Sequence, residues 1–504
     1  MTKRVVISAM CCALWVLSTG CGDECQDASD CRNDNGQPAE GQQWACNEGT
    51  CTQRPVEQPE QDAGTDAGTT DAGTDAGVDA GTDAGVDAGT DAGVDAGTDA
   101  GADAGSMTVA EGGACISSGD CQPGLRCEGT PDKTCRELHV AVTGQVARQG
   151  GPRPIKALVV RHDTPAYTEL TAANTDSRYP RWNRDGSAVA FVQGAVDTQA
   201  ERTAGELVVR TLPLATGTST VVADGGTGNT ESFRFMEWEP GPQILYVRRN
   251  GASTSGISVV PTDGGTVAQF SQSGTFPDWS ADGTTFAYSI ATQGLLTASV
   301  GGAPTPLANS GETAEQPHFN RANNQLLFLR QDASRPADFN TSLFVIPITG
   351  GTVQPIADFT TEAVTGGSID SYIANPNWAP DGSWVAYVRA YYSRPTAGSP
   401  VLCGSAEATL CPTRPGNVIF LQRINAPDGS ASGEPIEFVS GGTLPSFSPD
   451  AHHLAYIQGG ALRVWRLDPA TGNKVGTDPR IHPATDFTLL TGEGDDHRPR
   501  WQPK

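Results

Sequence analysis

Pro277-Asp-Trp279-Ser-Ala-Asp282-Gly283-Thr-Thr-Phe286-Ala-Tyr288-Ser289 is the stretch that decides the fold. Its opening returns as Pro180-Arg-Trp182-Asn-Arg-Asp185-Gly186 and as Pro376-Asn-Trp378-Ala-Pro-Asp381-Gly382. Looser copies pass through Trp238, through Pro317 and Phe319, and through Pro445 and Phe447; a last one reads Pro499-Arg-Trp501-Gln-Pro503. A second aromatic follows inside an apolar run: Phe191 after Trp182, Tyr246 after Trp238, Tyr288 after Trp279, Phe328 after Phe319, Tyr387 after Trp378 and Tyr456 after Phe447. Short aromatic and β-branched runs bounded by Gly, Pro and Asp read as strands, and Asp-Gly between two of them reads as a hairpin turn, because Gly accepts a positive φ. The phrase is thus the end of one strand, a tight turn and the start of the next. Further turns are read at Asp224-Gly225-Gly226, Asp263-Gly264-Gly265, Gly301-Gly302 and Gly350-Gly351. The unit is a four-stranded antiparallel sheet.

Such a sheet cannot bury its own faces and must stack on its neighbours, which at this repeat length means a propeller. The phrase aromatics Trp182, Trp238, Trp279, Phe319, Trp378, Phe447 and Trp501 are read as packing between blades, since regular recurrence is what contact between repeated units demands. Their spacings are 56, 41, 40, 59, 69 and 54 residues, against about 40–50 for a propeller unit, so the longer ones carry insertions. No strands follow the last phrase. Three strand-like runs, Leu138–Val142, Ile155–Val160 and Tyr167–Leu170, precede the first without a phrase of their own. Residues 499–504 are therefore expected to supply a strand to the blade begun by 137–172, which removes the open edge. The fold class is all-β, with seven blades, or six if the Trp238 copy is absorbed by a neighbour.

The phrase followed by an apolar-aromatic strand resembles the TolB-type (PD40, WD40-like) propeller repeat over residues 137–504. That resemblance implies a fold more than a function, for such propellers bind envelope proteins, precede peptidase domains or cleave acidic sugars. Three copies depart at the Asp-Gly turn, with Pro240-Gly241, Asn323-Asn324 and Asp450-Ala451.

The N-terminal quarter reads as an address and a tether. Lys3 and Arg4 precede the apolar stretch Val5–Leu17, too short to span a bilayer and characteristic of a signal peptide (1–20). Leu17-Ser-Thr-Gly-Cys21 resembles a bacterial lipoprotein signal, which implies lipid on Cys21 and a place in the cell envelope at the outer membrane. Residues 57–107 form a linker in which Asp recurs eleven times between 62 and 103, every four or five residues, with Ala, Gly, Thr and Val. It has no large side chain to bury and repels itself, so it is expected to be extended and disordered. Calcium-binding repeats need a nonapeptide with an apolar anchor, which this period lacks.

Thirteen Cys include Cys11 and Cys12 in the signal and Cys21, where the resemblance implies lipid. The remaining ten fall into a module at 21–56 with Cys25, Cys31, Cys46 and Cys51, a module at 108–136 with Cys115, Cys121, Cys127 and Cys135, and the pair Cys403 and Cys411. In an exported chain these are disulfide candidates, with connectivity inside the clusters left open. The close Cys pairs of zinc sites are missing.

A net charge of −25 argues against nucleic acid as a partner. No nucleophile elbow, phosphate loop, dinucleotide fingerprint or His-Glu-x-x-His motif occurs. No catalytic residue, metal site or cofactor is assigned. The histidines are scattered; His452 and His453 are read as solvated turn residues, and Asp495-Asp496-His497 as the best candidate for a polar site near the channel mouth. The expected role is a membrane-anchored propeller that binds an envelope protein, with a glycan-binding or glycan-cleaving propeller as the alternative.

Overall fold

The structure, a computed structural model, describes residues 42–47, 50–55, 109–128 and, apart from short loop stretches, 133–503. The signal peptide, Cys21, Cys25, Cys31 and the Asp-Ala-Gly linker lie outside the described residues. The chain divides into two units at Thr98 and Asp99. In the first, strands Gln42–Asn47 and Thr50–Pro55 form a hairpin that sets Cys46 opposite Cys51.

The second unit holds a small two-stranded sheet, Leu125–Glu128 with Thr134–Glu137, and a propeller of seven antiparallel blades. From the inside outward, blade 2 is Asp176–Trp182, Ala188–Gly194, Glu206–Thr211 and Ser219–Asp224. Blades 3, 4, 5 and 7 repeat this order from Glu231, Thr275, Ala314 and Thr443. Blade 6 is enlarged. Its first two strands, Gly367–Trp378 and Trp384–Pro395, run for 12 residues each and add the flanking strand Thr360–Val364. Part of the long spacing between Phe319 and Phe447 is therefore strand rather than loop.

Blade 1 mixes the two ends of the propeller sequence. His139–Val146, Ile155–Arg161 and Tyr167–Glu169 are sequential, and the innermost position is filled in two pieces. Phe487–Leu489 pairs with one half of His139–Val146, and Arg500–Trp501 pairs with the other, Trp501 opposite Val140. The closure expected of the last phrase is present, with Phe487–Leu489 as an additional piece. The Trp238 copy has a blade of its own, so there are seven blades and not six.

The repeated turn explains its own residues. In blades 2, 4, 6 and 7 the Asp side chain accepts the backbone N–H two residues on: Asp185 from Ser187, Asp282 from Thr284, Asp381 from Ser383 and Asp450 from His452. The next residue turns left-handed, with φ of 65°, 69° and 72° at Gly186, Gly283 and Gly382. Blade 7 keeps the same turn with Ala451 at φ 59°, a conformation that costs an L-residue about 1–2 kcal/mol. One expected turn is corrected. Asp224-Gly225 ends the fourth strand of blade 2, and the bend between its third and fourth strands falls at 212–218, where Pro213 has no N–H to give the ladder.

A second device precedes the phrase. Tyr179, Phe235, Phe276, Gln316, Asn375 and Leu444 all have φ between 48° and 56°. Each sits at a break in register, as between Arg178 and Arg181 or Thr443 and Ser446. This bulge sets the phrase proline where no ladder donor is needed. In blade 1 the corresponding interruption is residues 490–499, between the two inner pieces.

Seven apolar clusters each straddle one pair of neighbouring blades, including the pair 7 and 1. Each phrase aromatic is buried in the cluster shared with the preceding blade. Each interface also carries a hydrogen bond at the phrase. The indole N–H groups of Trp182, Trp279, Trp378 and Trp501 donate to the carbonyls of Arg500, Glu237, His318 and Ser446 in the preceding blade, at 3.1, 3.3, 3.1 and 3.0 Å. Phenylalanine has no such donor. At Phe319 and Phe447 the backbone N–H donates instead to Asp278 Oδ2 at 2.6 Å and to Asn377 Oδ1 at 3.1 Å. Between blades 2 and 3, Arg181 Nε donates to the Met236 carbonyl at 2.8 Å.

Trp279→Phe keeps an aromatic six-membered ring but loses the indole N–H and the buried five-membered ring, so it should cost about 1–3 kcal/mol. Trp501→Ala also empties a packed site and should cost about 3–5 kcal/mol. Urea unfolding midpoints check both; equal losses would mean that the indole volume plays no part in closure.

The axial mouth as candidate functional site

In every blade one residue lies between the phrase proline position and the phrase aromatic. These residues are Arg500, Arg181, Glu237, Asp278, His318, Asn377 and Ser446 from blades 1 to 7. All seven line one cavity of about 240 Å³, walled by Trp182, Trp238, Phe319, Trp378, Phe447 and Trp501. A cavity with a wall from every blade is axial: it is the mouth of the propeller at the carboxyl ends of the innermost strands. Its lining is uneven. Arg500, Arg181, Glu237, Asp278 and Arg321 make one side charged, while Asn377, Ser446, Pro380, Pro449 and Pro503 make the other neutral.

The charges are tied to one another. Glu237 Oε1 lies 3.5 Å from Arg181 Nε and 3.1 Å from Arg500 Nη2. Arg181, 3% exposed, also reaches Asp496 Oδ1 at 3.5 Å, and Arg234 Nε meets Asp496 Oδ2 at 2.8 Å. Asp496 further accepts the backbone N–H of Phe235 at 2.8 Å. Fully paired, such a carboxylate tolerates burial; removing one partner would leave the other exposed to the full desolvation cost.

Asp496 belongs to the turn Gly494–His497, inside the interruption of blade 1. The turn packs against the innermost strands of blades 3 and 7, and the His497 ring stacks on Tyr179 of blade 2 at 5.5 Å. It therefore reaches inward from blade 1. Asp496 and His497, expected as part of a polar site near the channel mouth, are both buried: Asp496 is held by arginines of blades 2 and 3, and His497 by its stacking on Tyr179. The side chain of Asp495 lies outside the described residues. Burial first, then Arg234, Arg178 and Arg181, lowers the His497 pKa to about 3, so the ring is neutral at pH 7.

His452 and His453 also need correction. His453 opens the second strand of blade 7, is 7% exposed and lies 6.1 Å from the Trp501 ring. Burial lowers its pKa to about 4. The tight turn ends one residue earlier than expected, which carries His453 inward and leaves His452 partly exposed, its Nδ1 on the Asp450 carbonyl at 2.7 Å. His139 stacks on Trp182 and bonds to Gln502, His482 is buried in blade 7, and His318 is part of the mouth. The described histidines do not converge.

Cys115 is bonded to Cys127, Cys121 to Cys135, and Cys403 to Cys411. The sulfurs of Cys115, Cys121 and Cys135 lie close enough to suggest a metal site, but all three are already in disulfides. Cys46 and Cys51 face each other by register alone. No helix among the described residues is long and apolar enough to cross a membrane.

No protein-family model and no curated protein matches the chain. Among solved structures it is similar to TolB from Acinetobacter baumannii, with 14% identity, 73% of this chain and 67% of that one covered, and a TM-score of 0.37. It is similar to an oligogalacturonate lyase in complex with manganese, with 12% identity, coverage of 67% and 84%, and a TM-score of 0.42. A putative 6-phosphogluconolactonase from Bacteroides fragilis gives 13% identity, coverage of 72% and 97%, and a TM-score of 0.42. Scores of this size decide nothing about the mouth; the seven-bladed closure rests on strand pairing and is consistent with a TolB-type propeller.

His453 and His497 are neutral in the fold, whereas the unfolded chain takes up protons below about pH 6.5. The unfolded state then binds more protons, so stability is fully present above that pH and falls as pH drops toward the folded values. Urea midpoints at pH 7 and pH 5 should show this loss, and His453→Gln should reduce it. An unchanged slope in the variant would exclude His453 as its source.

Proposed function

We propose that this chain is an envelope protein, tethered through lipid on Cys21, that presents its propeller as a rigid scaffold to a protein partner at the axial mouth. The observation that carries the reading is the ring of seven side chains around the mouth, of six different types. A purely structural position in a repeat would hold the same residue each time, as the phrase aromatics nearly do. This position holds Arg, Arg, Glu, Asp, His, Asn and Ser, an arrangement suited to recognising one asymmetric surface. Arg181, Glu237, Arg500, Asp278 and Asn377 are committed to ion pairs and inter-blade hydrogen bonds, which favours preorganised binding over proton transfer.

A second reading, a propeller that binds or cleaves acidic glycans, is favoured by Arg321 and Arg500 in the mouth lining, with Arg181 buried beside them. It differs in its ligand and not in its site.

A photo-crosslinking residue placed at Arg321 or Pro449 in living cells should trap one dominant protein, and the same residue at Val300, exposed in an outer turn of blade 4, should not. Equal trapping at all three, or none at the mouth, would reject a mouth-bound protein and direct attention to glycans. In the same cells Cys21→Ser should move the protein from the membrane fraction to the soluble one; unchanged membrane association would reject the anchor.

A further inference from the structure

We propose that the stapled module at residues 109–137 is a clasp across the closure seam of the propeller, so that blade 1 opens when the two disulfides of the module are reduced.

The module touches both neighbours of the composite blade. Arg126 Nη2 donates to the carbonyl of Asp185, in the repeated turn of blade 2, at 2.7 Å. The backbone N–H of Gly124 donates to Asp450 Oδ2, in the equivalent turn of blade 7, at 2.8 Å. Blade 1 lies between these turns. Gly124 also accepts the N–H of Leu138 at 2.9 Å, where the module strand Thr134–Glu137 runs on into His139–Val146. That strand is the one to which Arg500–Trp501 pairs.

The seam itself is short. Two residues of the last phrase pair with blade 1, and Gln502 completes the join: its N–H donates to the His139 carbonyl at 2.8 Å and its side-chain amide to the Gly186 carbonyl at 2.8 Å. Gly186 follows Asp185, so the clasp and the last strand are held by the same turn of blade 2.

The module depends on its sulfurs. Its buried cluster is Cys121, Leu125 and Cys135, with Val109, Cys115 and Cys127 packed against them. Four of these six residues are the disulfide cysteines, so reduction leaves almost no apolar core to hold Arg126 and Gly124 in place. Each disulfide accepts two electrons and two protons from a dithiol, giving two Cys thiols and the cyclic disulfide of the reductant. Cys403–Cys411, in blade 6, is remote from the seam and provides the control.

Amide hydrogen exchange of the intact chain, with and without dithiothreitol, tests the clasp. On reduction, exchange in 139–146 and 500–502 should rise on the order of tenfold or more while the central strands of blades 3 to 5 keep their protection. Cys403→Ser/Cys411→Ser should behave as the wild type in both states. Arg126→Ala, with every disulfide intact, should raise seam exchange selectively and by less. Unchanged seam protection after complete reduction, or equal loss in all blades, would overturn the proposal.

Discussion

Each blade of this protein is fastened to the next at the same place, where the phrase aromatic enters the groove beside the preceding blade. Seven apolar clusters supply the adhesion, but apolar contact has no direction. The hydrogen bond beside each aromatic supplies it. Four interfaces use an indole N–H, two use a side-chain acceptor for a backbone N–H, and one uses an arginine. The substitution of Phe for Trp at two interfaces coincides with Asp278 and Asn377 in the preceding blades. The chemistry changes from blade to blade while the requirement, a satisfied donor in a buried seam, stays constant.

The same requirement builds the mouth. A residue whose backbone carbonyl or side chain fastens a neighbour must stand at the inner edge of its blade, and its remaining polar surface then faces the axis. The seven positions that fasten the blades are thus the seven that line the mouth. Below them, Asp496 draws Arg181 and Arg234 together, and Glu237 joins Arg181 to Arg500, so that the charged groups of blades 1 to 3 form one linked network. The opposite half, neutral and rich in proline, has no such network.

Much of this was legible in the sequence because the turn needs particular residues. Asp caps it and Gly supplies its positive φ, so the phrase betrays both the turn and the number of blades. The bulge before the phrase was not legible: a residue preceding proline ordinarily favours extended backbone, yet Tyr179, Phe276, Gln316, Asn375 and Leu444 are left-handed. Nor was the mouth, since its seven residues share a position and no chemistry. Asp496 stood out as a polar candidate near the mouth, but its partners were not legible, because only the fold brings arginines from two blades to meet it. His453 was misplaced by one residue, enough on a strand to exchange one face for the other.

Blade 1 takes its inner edge, Phe487–Leu489 and Arg500–Trp501, from residues made long after the strand His139–Val146 that they pair with. During synthesis six blades can acquire all their strands in order while the first waits. A chain interrupted anywhere before Trp501 therefore keeps an unpaired strand edge, the kind of surface that chaperones and proteases find and that aggregation exploits. Circular closure makes the arrival of the last phrase a checkpoint: a molecule with a sealed ring has been translated through residue 501.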